Sequence, residues 1–521
     1  MLFAMSAPMM NAFAADANKY ITIYVEGYGH PLYKNNVPTE ENRIYDIDAD
    51  VGAIVSEVLK PCLEKLAFGI LTDNYDAYCD ELYNAMAPLY ADLKLDPSGE
   101  ALDGSGWGGD MLTGYYYVNY GKGLSGGRIT FEYDWRLAPE HNAEILEKFI
   151  DRVCREKGVA KVNVLGRCLG GNIVNAYLEN GKNLNKVNKV IMYIPSTMGI
   201  STVGAAFSGN IVVQDKAVDN FVDLLVNDMA LISDPTMQSL ITATVSLLDY
   251  AKTLGLGTDA LMFIVNKVKG NIIPRLVRDT YGSFPSFWSM CPEEYLDDAL
   301  ALCYGTEELK AEYAGTIEKI NSFREIRKNA YNRMEEVKAN GIDIMVLSKY
   351  NLPNLPFSVD GTAQSDMMAE TYRTSFGSTS PEFGKTFTES YLASKTEAEK
   401  KFISPDLKVD ASTCLFPEKT WFIKNSAHSK FPDSVDALMD AFLCNDDFTV
   451  FSSEAYPQYM ELAADEDKIS PVTGLDDPVP EEGSNAERFS IFVRFMTAIM
   501  NFITKLFKGN LNLNLNLNLG V

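Results

Sequence analysis

Apolar positions along the chain fall into two periods. Residues 20–25 (Tyr-Ile-Thr-Ile-Tyr-Val), 128–133, 161–165, 187–194, 342–347 and 420–423 are short runs rich in Val, Ile, Leu and aromatics. Such runs, stopped by turn residues, read as buried strands. Between them, residues 139–157 set Ile145, Leu146, Phe149, Ile150 and Val153 at helical spacing, and a second helix begins at Gly171, directly behind the strand that Gly166 breaks. Strands alternating with helices predict an α/β fold, a mostly parallel sheet flanked by helices on both faces. The first part of this core spans 15–195 and the second 341–463. Across 196–340 the alternation gives way to helical patterning, with a long charged helix through 307–338. An all-helical insertion at that place is expected to form a cap or lid over the strand ends. Residues 104–127, dense in Gly, Tyr and Trp, read as irregular loop.

The character changes again at the C-terminus. Residues 464–487 carry Asp, Glu, Pro, Gly and Ser with few large apolar side chains, the composition of an acidic linker. Residues 488–521 then hold an amphipathic helix and an Asn-Leu low-complexity tail, for which we have no functional account. In the helix, 489–508, the polar positions Ser490, Arg494, Thr497, Asn501, Thr504, Lys505 and Lys508 form one narrow stripe on an apolar cylinder. That pattern suits peripheral contact with a membrane interface, and equally suits docking on the chain's own domain or a partner.

Charge narrows the partners. A formal net charge of -25 disfavours nucleic acid, whose phosphates require clustered Lys and Arg. Residues 1–14 are apolar, rich in Ala and Met, and end in Ala-Phe-Ala, the form of a signal peptide that lacks its basic start. Export would make the protein secreted or cell-surface and would permit disulfides, with Cys62–Cys79, Cys291–Cys303 and Cys414–Cys444 the nearest-neighbour pairings. No Cys-x-x-Cys or His-x-x-x-His spacing occurs, so neither metal nor cofactor is expected. The chain has only three histidines, His30, His141 and His428, so any imidazole base must be one of them.

The sharpest motif is Val162-Asn163-Val164-Leu165-Gly166-Arg167-Cys168-Leu169-Gly170-Gly171. It fits Gly-x-nucleophile-x-Gly, the nucleophile elbow of the α/β-hydrolase fold, on a strand-to-helix turn. Small neighbours two before and two after are needed because the turn is tight, and the following helix start favours a thiolate. The alternative is a buried cysteine packed under a Gly-rich turn. No Gly-x-Ser-x-Gly competes. His428 stands in a short loop after the run 420–423, the position and chain order expected of the base. The acid that orients it belongs in the loop after 342–347, where Asp360 and Asp366 both lie, and the residues leave that choice close. Two backbone N–H groups are expected to stabilise an oxyanion, those of Leu169 after the nucleophile and of Tyr28 in the Gly27-Tyr28-Gly29 turn. His30 is a candidate for lining the pocket.

Three further segments carry a resemblance. Tyr133-Asp134-Trp135-Arg136-Leu137, Gly282-Ser283-Phe284-Pro285-Ser286-Phe287-Trp288 and Glu26-Gly27-Tyr28-Gly29 are similar to the Tyr-Asp-Trp-Arg-Leu, lid and oxyanion-loop motifs of the lecithin:cholesterol acyltransferase family. The resemblance runs from about residue 20 to 428, with Cys in place of the family Ser. It implies an acyl ester hydrolase or acyltransferase acting on lipid-like esters through a triad of Cys168, an Asp and His428. Asp360-Gly361-Thr362 resembles the signature that often marks the family's acid, while Ser365-Asp366-Met367-Met368, followed by Thr374-Ser375-Phe376-Gly377, resembles a longer pattern of related bacterial lipases. The longer match selects Asp366. Because a thiolate acts most readily on thioesters and activated esters, thioesters join the expected substrates. The competing reading is a catalytically inactive binding protein that retains the fold. Against it stand the elbow glycines, His428 and the loop acid, which a lapsed site has no reason to keep together.

Overall fold

A computed structural model describes residues 20–45, 68–102, 104–108, 126–227, 258–463 and 468–475, together with Cys62, Lys65, Leu66 and Leu124. The N-terminal segment 1–14, the C-terminal helix 489–508 and the Asn-Leu tail lie outside the described residues.

The frame is an eight-stranded sheet. Its strands are β1 (Thr22–Val25), β2 (Arg128–Phe131), β3 (Val162–Arg167), β4 (Val187–Tyr193), β5 (Asp343–Tyr350), β6 (Thr420–Lys424), β7 (Tyr459–Leu462) and β8 (Ile469–Pro471). Their spatial order is β8-β7-β6-β5-β4-β3-β1-β2, and every neighbouring pair is parallel except β7 with β8. Parallel strands need crossover connections, which place helices over both faces and explain why these strands read as unbroken apolar runs.

The two-residue period of a strand sorts the side chains between two cores. Ile23, Val25, Val164, Val190, Met192, Ile344 and Val346 enter one core, and their alternates Tyr24, Leu165, Ile191, Tyr193, Met345 and Leu347 enter the other. Helices α1 (Pro139–Lys157), α2 (Leu169–Asn180) and α3 (Ala314–Ala339) cover the first face, through Phe149, Ile173 and Phe323 among others. Helix α4 (Asp433–Cys444) covers the second with Val435, Leu438, Met439 and Phe442. Each such fully buried Ile, Val or Leu contributes about 1.5–3 kcal/mol, so these layers set the rigidity of the strand ends.

Several expectations are revised. The charged helix expected through 307–338 is broken at Tyr313 into Glu307–Glu312 and α3, because Tyr313 leaves the helical conformation. Helix α3 carries Ile320, Phe323, Ala330 and Met334 into the core shared with the sheet, so the end of the segment 196–340 is part of the sheet's own cover. The acidic linker expected over 464–487 is overturned at its start: Ile469–Pro471 pairs antiparallel with β7 as the edge strand, where Pro471 loses no ladder bond it needs. All eight cysteines are free. The suggested Cys291–Cys303 pairing does not form, since Cys291 Sγ faces Pro292 O at 3.8 Å and Cys303 Sγ faces Phe207 O at 3.6 Å. Among the described residues, no helix is long and apolar enough to cross a membrane.

Candidate active site

Cys168 sits between β3 and α2 with φ 50° and ψ −120°, a conformation that costs a non-glycine residue on the order of 1–3 kcal/mol. The surroundings hold it there. Its N–H donates to Tyr193 O at 3.2 Å, and its carbonyl accepts from Gly171 N at 2.9 Å and Ser196 N at 3.2 Å. The second elbow glycine is a spatial necessity: a Cβ on Gly170 would stand 2.1 Å from Val25 O and 2.5 Å from Glu26 O. A Cβ on Gly166 would meet Val174 Cγ2 at 2.8 Å.

His428 follows β6, and Asp366 follows β5 at the end of a short ribbon formed by Leu352–Pro353 and Gln364–Ser365. Adjacent strands therefore bring two residues 62 positions apart together. His428 Nδ1 lies 2.7 Å from Asp366 Oδ2, and the main-chain N–H of His428 donates to Asp366 O at 2.8 Å. The other carboxylate oxygen accepts from Met368 N at 3.1 Å and Ala369 N at 2.8 Å, a turn that Met367 closes with φ 78°. The far side of the imidazole hydrogen-bonds the Cys168 thiol. Asp360, the other candidate acid, is elsewhere. Its Oδ2 accepts from Ser201 Oγ at 2.5 Å and Tyr372 Oη at 3.1 Å and lies 3.6 Å from Arg373 Nη2.

Electrostatics inside this closed site favour the charged pair. Burial opposes ionisation of Cys168, yet the facing His428, the neighbouring Arg167 and the N–H of Leu169 together hold its thiol below the ordinary value. Burial likewise pulls the His428 imidazole down, but Asp366 and the Cys168 thiolate push it up to about 9. Burial raises Asp366, and His428, Lys349 and the Ala369 N–H outweigh it, leaving the carboxyl below its usual range. The shifts run in the directions that favour a thiolate, an imidazolium and a carboxylate in sequence.

The two expected oxyanion donors differ in what surrounds them. Leu169 N–H points to the thiol sulfur, in agreement with the start of α2 directly beneath it. Tyr28 belongs to a turn that lies on Cys168, since a Cβ on Gly27 would be 3.4 Å from Cys168 Cβ. The Tyr28 ring packs edge-on against Trp135 and Phe287, with centroids 5.6 and 5.4 Å apart. The segments 133–137 and 282–288 thus meet beside this turn. Trp135 Nε1 donates to His30 O at 2.9 Å, and buried Arg136 is paired with Asp134 while donating to Leu93 O and Ser105 O. Their role is to tie early loops around the site. His141 lies in the first turn of α1.

Two positions that hold the loop of His428 escaped the sequence reading. Arg167, the unspecified residue of the elbow, donates from Nη2 to His428 O at 3.2 Å and Ser429 O at 3.3 Å. Lys349, at the end of β5, donates from Nζ to Ala427 O at 2.7 Å and Lys430 O at 2.5 Å. Four successive carbonyls of the histidine loop are therefore held by two basic side chains, the half-buried Arg167 and the buried Lys349. The available signal was a cation ending an otherwise apolar strand, which must find acceptors once buried. Among the described residues, no group of three or more His, Cys, Asp or Glu side chains is placed to hold a metal.

No family model matches the chain, and no curated protein matches it.

Proposed function

We propose that the chain is a cysteine-dependent acyl ester hydrolase or acyltransferase of the α/β-hydrolase kind, acting on lipid-like esters or thioesters through a covalent acyl-enzyme. The observation that carries this reading is the line Cys168–His428–Asp366, with the sulfur at a strained positive-φ turn and the imidazole bridging thiol and carboxylate. A buried structural cysteine needs neither the strain nor the ion pair, and burial alone raises its pKa, as at Cys291 and Cys303.

In the proposed reaction the Cys168 thiolate adds to the acyl carbon, and the charge that develops on the carbonyl oxygen is met by the N–H of Leu169 and of the Tyr28 turn. Collapse breaks the acyl carbon–oxygen (or carbon–sulfur) bond, and the leaving group takes the proton of His428. Water, or an acceptor alcohol, then attacks the thioester while His428 removes its proton, and the thiolate is expelled. Asp366 holds the imidazole with Nδ1–H toward itself throughout.

The resemblance to the lecithin:cholesterol acyltransferase family supports an ester substrate, and the helical segment after β4 supports a lid reading for its residues ahead of α3. Secretion and peripheral membrane contact through 489–508 belong to the same proposal. The test is labelling with a fluorophosphonate or β-lactone, mapped by mass spectrometry, alongside turnover of a short-chain ester. Modification confined to Cys168, and loss of both labelling and turnover in Cys168→Ala, is the expected result. Labelling that survives this change overturns the proposal.

A further inference from the structure

The mechanism leaves His30 unused, though it stands three residues beyond Gly27, the glycine that lies on Cys168. Its Nε2 is in hydrogen-bond contact with Tyr133 O and lies 3.4 Å from the Tyr133 N, so the main chain of Tyr133 holds this side of the ring. Nδ1 is buried and has no hydrogen-bond partner. Beside it is the Glu132 carboxyl, half-buried and held above its usual pKa by burial, against the influence of His30. Both face a cavity of about 320 Å³ whose other walls include Pro31, Tyr33, Pro38 and Trp107. That volume is at the lower end of small-molecule sites, and its walls are polar and apolar in nearly equal measure, with two polar groups converging on it.

Position ties this cavity to the nucleophile. Three residues of chain span at most about 11 Å, so His30 cannot be farther than that from Gly27. A Cβ on Gly27 would be 3.9 Å from Cys168 Sγ. Tyr133 joins the two ends, since its carbonyl takes His30, its hydroxyl donates to Glu26 O at 2.6 Å, and the charge of Cys168 acts on that hydroxyl.

We infer that this cavity receives the alcohol portion of the ester, and that it selects a polyhydroxy alcohol whose hydroxyls hydrogen-bond His30 Nδ1 and the Glu132 carboxyl. The inference rests on Cys168 being the acyl-accepting group. An acyl chain is the wrong occupant, because methylenes packed on the buried His30 Nδ1 leave it unpaired and offer the Glu132 carboxyl nothing. A hydroxylated alcohol meets both. Both a leaving alcohol and an acceptor alcohol carry this chemistry.

The discriminating pair is glyceryl monobutyrate and propyl butyrate, equal in acyl chain and in alcohol carbons. Wild type is expected to favour the glyceryl ester by about tenfold or more in kcat/KM, since a site built for hydroxyls rejects an analogue lacking them. Glu132→Gln and His30→Phe should each bring that ratio toward one. A ratio that starts near one, or that survives both changes, overturns the inference. With propyl butyrate and added glycerol, appearance of glyceryl monobutyrate marks use as an acceptor site, and its absence marks use for the leaving group. A second readout does not need turnover. In Cys168→Ala, the three histidines give a simple nitrogen-15 spectrum, and glyceryl monobutyrate, not propyl butyrate, should shift the His30 Nδ1 resonance. No shift sinks the alcohol site. A shift without any acyl-enzyme in the wild type sinks the catalytic reading and leaves the site standing.

Discussion

Lys349 allows a test of how the histidine loop is held. It is 1 % exposed, donates to Ala427 O and Lys430 O, and has its ammonium pushed down to about 7 by burial, with Asp366 acting to raise it and Arg167 to lower it. Lys349→Met keeps most of the stem and deletes both hydrogen bonds, leaving the buried Ala427 carbonyl and the half-buried Lys430 carbonyl without this partner. At roughly 1–3 kcal/mol per group, the change should destabilise the fold by about 2–6 kcal/mol. Loosening the His428 main chain by an ångström would cost turnover on the order of 10²-fold. The distinctive result concerns pH. His428, raised from 6.5 to about 9 in the fold, contributes stability that is complete below pH 6.5 and is lost as pH rises to 9. Lys349, lowered from 10.5 to about 7, contributes with the opposite slope: the unfolded chain holds its proton longer, so stability rises between pH 7 and 10.5. From pH 7 to 9 the two slopes oppose each other, each about 1.4 kcal/mol per pH unit, so wild-type stability from this pair is nearly level. Lys349→Met lacks the rising slope of Lys349, so between pH 7 and 9 its urea unfolding midpoints should fall, relative to those of the wild type, by the equivalent of about 2.7 kcal/mol. Parallel pH curves for the two proteins would refute the clamp and the assigned ionisation together.

Alkylation supplies a second check. Because His428 and Arg167 lower the Cys168 thiol, its iodoacetamide rate should begin to fall at a lower pH than that of an ordinary thiol, which slows about tenfold per unit below 8.5. A rate that tracks ordinary thiols contradicts the ion pair. Asp366→Asn should reduce ester turnover by about 10³–10⁴-fold through the wrong imidazole tautomer, while Asp360→Asn, whose carboxylate serves Ser201, Tyr372 and Arg373, should leave it near wild type. The reverse ranking in kcat/KM would reassign the acid. The full chain should sediment with anionic liposomes and a chain ending at Glu487 should not, while both turn over a soluble ester; equal sedimentation makes 489–508 a docking element.

Local pattern was enough for much of the frame. Runs such as 187–194 and 342–347 are apolar on both strand faces, and only a doubly covered parallel sheet buries both, so the α/β class and six of its strands were legible. The elbow was legible for a steric reason. Only glycine tolerates Val25 O and Glu26 O at the approach seen at Gly170, so the motif records the close packing directly. His428 followed from scarcity, being the one histidine behind a late strand. Strand β8 was hidden because three edge residues ending in proline have no period of their own and exist through pairing with β7. The choice between Asp360 and Asp366 belonged to the loop's three-dimensional path, since the two stand six residues apart in similar company and only the turn at Met367 delivers one of them to His428. Arg167 and Lys349 were invisible for the same reason. A lone cation in an apolar strand promises an acceptor without naming it, and the carbonyls of 427–430 come within reach only because β3, β5 and β6 end at one edge of the sheet. Short-range sterics and periodicity write themselves into sequence, while the pairing of groups tens or hundreds of residues apart is decided by tertiary packing.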